Sequence, residues 1–258
     1  MVKEICNPAL KSKDKNPICH ALITNNLDFI KAMAKTTFNF GSKNNNYYDS
    51  VNAILYSHKD EIPEGVFKER LLRTNGLTVL HYACVFGRIE IVNLLIENFK
   101  NSELNQRIWR DLTPFHLACI YGQKELVKAF FNKGKTSPMM EENQIEIVTS
   151  NIDFNAQCTF RGYTPLHYAC REGNVQAVAC MLEHFREIDW NTKSSDRLED
   201  TPLHLACKNG HLEIIKLMAE NSKKCGINLT VKNNFGLTPL EKSLLNKKYV
   251  FTYLYVFC

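Results

Sequence analysis

Apolar positions in this chain recur in paired blocks, each reading as two short helices. In TPLHYACREGN, Thr164 suits a helix cap and Pro165 suits the first helical position. Leu166 and Ala169 follow at helical spacing, and Gly173 stands where a helix stops. A second pattern follows the stop, as in Ile89, Ile91, Val92, Leu94 and Leu95, an amphipathic helix. Four stretches repeat this plan without gaps: LTVLHYACVFGRIEIVNLLIENF from Leu77, LTPFHLACIYGQKELVKAFFNKG from Leu112, YTPLHYACREGNVQAVACMLEHF from Tyr163 and DTPLHLACKNGHLEIIKLMAENS from Asp200. A fifth, LTPLEKSLLNKKYVFTYLYVF from Leu237, keeps the frame with several signature residues changed.

The threonines at 78, 113, 164, 201 and 238 are separated by 35, 51, 37 and 37 residues. A recurrent T-P-L-H-x-A with a period in the mid-thirties resembles the ankyrin repeat. That resemblance implies an all-α solenoid of stacked helix-turn-helix units, joined by β-hairpin-like fingers. No single helix pair buries its own apolar face, so the copies must stack. Each finger holds an asparagine, a turn residue, eight to ten positions ahead of the next threonine.

The repeats divide the chain. Residues 1–46 read as an eroded capping copy, with Pro17, Ile18, Ala21, Leu27, Ile30 and Met33 in the repeat's apolar slots. Residues 47–75 read as an irregular or degenerate insertion, and 76–258 as the array proper. Its copies fall near 77–110, 111–135, 162–190, 199–230 and 236–258, with an inserted loop at 136–151 that accounts for the long spacing. Thr78 is followed by Val79, so the first clear copy lacks its proline.

The candidate chemistry is the His–Cys pair, one helical turn apart, in every clear copy: His81/Cys84, His116/Cys119, His167/Cys170 and His204/Cys207. Such a pair could be a nucleophile with its base, or half of a zinc site. Its repetition argues against both, because a catalytic site is assembled once and a zinc site needs three or four ligands. The fifth copy has Glu241 in the histidine slot, which makes Thr238–Glu241 a capping box. The slot therefore belongs to the helix start, and Thr113, His116, Thr164, His167, Thr201 and His204 read as structural. No phosphate loop, nucleophile elbow or C-x-x-C pair is present, so the expectation is no enzyme, no cofactor and no metal.

The resemblance places binding on the concave face, on the exposed side of the first helices and the finger tips. Carried over position by position, it picks Val85, Phe86, Ile120, Tyr121, Arg171, Glu172, Lys208 and Asn209 on the helices. In the fingers it picks Trp109, Arg110, Leu112, Phe160, Arg161, Tyr163, Arg197, Leu198 and Phe235. Phe86, Ile120, Tyr121 and Trp109 would grip an apolar segment of a partner protein, and the charged later copies would set its orientation. A second expectation is that the chain is a cytoplasmic segment of a larger membrane channel or signalling protein.

Composition changes this little. The net charge of +5 is mild and no single-sign block suggests a nucleic-acid partner. Residues 205–258 carry 8 lysines against 3 glutamates, which concentrates the positive charge at that end. The polar start MVKEICNPALKSKDKN reads as no secretory signal, so ten cysteines read as reduced thiols in the cytoplasm, with the nucleus also open. The run YVFTYLYVFC is about half a bilayer span, so no direct membrane insertion is expected. Apolar all round, it reads as a covered contact surface.

Overall fold

The computed structural model describes residues 78–98, 104–132 and 152–245, with Asn26 and Asp28 as isolated positions. The eroded copy, the 47–75 segment, the 136–151 loop and YVFTYLYVFC lie outside the described residues. The chain forms two compact units, Met1–Trp109 with Asn132–Ile152 and Arg110–Phe131 with Asp153–Cys258.

In the first unit, α1 (Val79–Phe86) and α2 (Ile89–Asn98) form one helix pair. Thr78 caps α1 by accepting from the His81 backbone N–H at 3.3 Å. Gly87 ends it at φ 65°, a left-handed conformation that glycine adopts without Cβ strain. Ile91, Val92, Leu94 and Leu95 of α2 are buried.

The second unit repeats that plan. Its first helices are α3 (Pro114–Tyr121), α5 (Pro165–Glu172), α7 (Pro202–Asn209) and α10 (Pro239–Leu245). Its second helices are α4 (Lys124–Asn132), α6 (Val175–Glu183) and α8 (Leu212–Glu220), the last followed by the short α9 (Ser222–Cys225). Successive first helices pack on one another, α3 on α5, α5 on α7 and α7 on α10, while α6 packs on α8. This is a stacked repeat array. The alanine–cysteine pairs 118–119, 169–170 and 206–207 are fully buried, small enough to let neighbouring helices approach. Phe115 meets Phe130, Phe131 and Phe154 at ring separations of 5.3, 5.6 and 4.9 Å. Burying each such ring contributes about 1.5–3 kcal/mol.

Polar side chains tie the copies together. Asn155 donates to the Glu187 carbonyl and accepts from Asp189 N, and Asn191 does the same toward Gly226 and Asn228 one copy on. Asn174 caps the C-terminal carbonyls of α3, donating to Cys119 O at 2.7 Å and Ile120 O at 2.5 Å. His211, in the same slot of the next copy, bonds Arg171 O at 3.0 Å.

Between copies four and five a charged tie replaces an apolar one. Asp200 is fully buried where other copies carry Leu112 and Tyr163, and Lys242 is buried where they carry Leu117, Tyr168 and Leu205. The Lys242 ammonium bonds the Asp200 carboxylate, whose other oxygen accepts from Asn233 Nδ2 at 2.8 Å.

The fingers differ from the hairpin expectation: no strand forms among the described residues. Turn hydrogen bonds close them instead, among them Cys158 N to Tyr163 O, Ser194 N to Asp200 O and Asn233 N to Leu237 O. Two residues before each threonine of the second unit the backbone turns left-handed, at Asp111 (φ 61°), Gly162 (φ 64°), Glu199 (φ 50°) and Gly236 (φ 72°).

Candidate protein-interaction surface

The His–Cys pairs are the candidate chemistry that every clear copy carries. The Thr164 backbone N–H donates to His167 Nδ1 at 3.1 Å, so Nδ1 is an acceptor and the proton sits on Nε2. The Thr164 hydroxyl lies 2.8 Å from the same nitrogen. Nε2–H then donates to the Asp200 carbonyl of the next copy at 3.0 Å. Burial holds the His167 pKa down at about 4, which keeps the ring neutral. His116 and His204 repeat this, reaching Tyr163 O at 3.2 Å and Leu237 O at 2.9 Å, with Thr113 and Thr201 in the threonine role. Both nitrogens of each ring are engaged in holding the stack. The Cys170 thiol, pushed up by burial, bonds Met218 Sδ at 3.8 Å. A neutral, committed imidazole and a protonated buried thiol make neither a nucleophile and base nor a metal site. In the fifth copy Glu241 accepts from Thr238 N at 2.8 Å, in the slot the histidines occupy.

The structure redistributes the helix-borne candidates. Val85 and Ile120 are buried, which corrects their assignment to a binding face: the apolar side chains turn into the packing. Phe86 is half-buried, its ring 4.5 Å from Tyr82. Tyr121 is half-buried, with its hydroxyl pKa raised by burial and by the nearby Glu172. Arg171 and Glu172 pair at 3.5 Å. Lys208 is half-buried, and Asn209 donates to Arg171 O at 2.7 Å. The apolar grip expected of the first two clear copies therefore reduces to Trp109, 37% exposed. Leu112 and Tyr163 are also buried, a second correction: the residue just before the threonine points into the stack.

In the fingers the exposed apolar groups lie three and four residues before the threonine, while Leu212, Leu244 and Leu245 are exposed on α8 and α10. The tip pairs are Trp109–Arg110, Phe160–Arg161, Arg197–Leu198 and Asn234–Phe235. Phe160 is 39% exposed and Phe235 is 62% exposed. In the second unit each tip is tied to the next by one backbone bond: Thr159 N to Arg110 O at 3.0 Å, Ser195 N to Arg161 O at 2.8 Å and Asn234 N to Leu198 O at 3.0 Å. The Arg110 guanidinium covers the Phe160 ring at 3.5 Å. Phe160, Arg161, Asp196, Arg197, Leu198 and Phe235 line an open cleft of about 500 Å³.

Repeated capped helix pairs with this histidine relay define the fold, and a model of ankyrin repeats in 3 copies matches residues 40–140, 139–233 and 187–255. The chain belongs to the ankyrin repeat family. Comparison with curated proteins gives no match. Ankyrin repeats are protein-interaction modules, so the surface of interest is one that a macromolecule can reach. Among the described residues no helix is long and apolar enough to cross a membrane. Asn174 and His211, which seat one copy on the next, were not among the sequence candidates. Their signal was a hydrogen-bonding residue directly after the stop glycine.

Proposed function

We propose that this chain is a non-catalytic protein-interaction module whose partner docks along the finger tips of its second unit. The observation that carries this reading is the cleft, where exposed Phe160 and Phe235 flank Leu198 on tips held by backbone hydrogen bonds. Apolar and arginine side chains on a rigid frame are the usual anchors of an interface. The reading keeps the concave-face expectation and moves its centre of gravity from the early helices to the later fingers. A reducing compartment suits it, since the core thiols serve as small apolar packing groups.

A photo-crosslinking amino acid placed at Phe235, and separately at Leu212 on α8, tests the surface in native cells. Discrete protein adducts are expected from position 235 and not from position 212. Equal labelling from both positions, or none from 235, refutes the docking site.

A further inference from the structure

The charge around the cleft says what kind of segment fits it. Three consecutive fingers of the second unit carry an arginine at the tip, Arg110, Arg161 and Arg197. Asp196 is the one carboxylate among the residues lining the cleft. It is already committed: Oδ1 accepts from Ser194 Oγ at 2.8 Å and from Leu198 N at 3.1 Å, and Oδ2 faces Arg161 at 3.6 Å. Glu199, in the same finger, pairs with Lys193 at 3.4 Å. Arg197 is exposed and its guanidinium has no ion-pair partner among the described residues. The cleft thus combines an apolar floor of Phe160, Leu198 and Phe235 with a rim on which Asp196 answers Arg161 and leaves the Arg197 charge unmatched.

Resting on the docking site proposed above, we infer that the cleft takes an extended segment of a partner protein with a carboxylate beside an apolar side chain. The apolar group fills the space between Phe160 and Phe235, and an adjacent carboxylate meets Arg197 in the fork geometry that guanidinium favours. A single-stranded nucleic acid would also bring anions to a basic, aromatic surface, by stacking its bases on the rings. The arrangement disfavours that occupant, because the Phe160 ring face is taken by Arg110 at 3.5 Å.

The test is selection of twelve-residue peptides from an unbiased display library on the full chain. Selection is repeated on Arg197→Glu and Phe235→Ser, two exposed positions whose change leaves the packed copies intact. Selected peptides are then measured by fluorescence anisotropy. The expected peptides are rich in Asp and Glu beside Leu or Phe. They should lose at least tenfold in affinity on Arg197→Glu, on Phe235→Ser, and when their own acids become amides. Peptides that need Phe235 yet carry basic or uncharged flanks overturn this inference and leave the docking site standing. Selections that return the same peptides on both variants overturn the docking site as well. A twelve-nucleotide single-stranded RNA that binds as tightly as the peptides, and loses affinity on the same two substitutions, overturns the choice of a protein segment.

Discussion

Replacing Lys242 by methionine removes the charge that faces Asp200 while keeping most of the side-chain volume. Asp200 is fully buried and the Lys242 side chain is 7% exposed, so solvent cannot take the missing partner's place. Breaking a buried pair by removing one partner costs about 3–5 kcal/mol, because an uncompensated charge stays behind. The Asn233 bond to Asp200 survives the change and places the expected loss near the lower figure. The loss is also bounded, since α10 belongs to the last described copy and can detach while α7 stays folded. The assay is therefore native-state hydrogen exchange at the α10 amides, with urea unfolding as the global measure. We expect α10 protection to fall by about two powers of ten, equivalent to about 3 kcal/mol. The double change Asp200→Leu with Lys242→Leu restores the apolar residues of the other copies. It should come back to within about 1 kcal/mol of the parent, the residue being the Asn233 amide left without its acceptor. Protection in Lys242→Met within twofold of the parent, or a double variant as weak as Lys242→Met, would refute the reasoning.

His167 is neutral and buried with its pKa lowered from 6.5 to about 4, so the unfolded chain binds a proton that the folded chain refuses. The stability is present in full above pH 6.5 and lost as pH falls toward 4, at about 1.4 kcal/mol per pH unit. Urea titrations of His167→Gln should show a shallower slope in that window than the parent, and an identical slope would contradict the burial argument. Gly162→Ala and Gly226→Ala both place a side chain at positive φ, but a Cβ at 162 would lie 2.5 Å from the Ser195 backbone nitrogen while one at 226 meets nothing within 4 Å. Thermal unfolding should show Gly226→Ala costing about 1–2 kcal/mol and Gly162→Ala clearly more, with equal shifts counting against a close approach of adjacent fingers. Cys170 should resist iodoacetamide in the folded chain while the half-buried Cys225 reacts, a contrast read by peptide mass spectrometry. Comparable labelling of both would show that the first helices open.

Much of this architecture is legible in the sequence because each copy repeats its own punctuation. Thr164, Pro165 and Gly173 mark one helix by cap chemistry and backbone conformation, which are local properties. The role of His167 is legible from the exchange to Glu241, since both side chains supply an acceptor to the threonine backbone N–H at the helix start. The surface was harder to read. Val85 and Ile120 occupy slots that hold Arg171 and Lys208 in later copies, and slot position alone does not say that an apolar side chain rotates inward. Leu112 and Tyr163 stand in the fingers by sequence, yet the left-handed turn just before them redirects the chain into the stack. The Asp200–Lys242 pair had a signal too: two charges in slots that are otherwise apolar, one copy apart. Reading it requires knowing that those two slots meet across the copy boundary, which is a property of the packing.

The tip-to-tip bonds make the second unit a ruler. Packed helices stand roughly 8–10 Å apart, and the tips recur once per copy with one backbone bond fixing each to the next. A polypeptide in the polyproline II conformation advances about 9 Å in each three-residue turn and presents the same face every third residue. A β-strand covering that distance also uses about three residues, but its side chains alternate, so every second tip would face the wrong side. A segment that touches successive tips is therefore read at positions i, i+3 and i+6. Proline between contact residues would help such a segment, while a single inserted residue would put every later contact out of step.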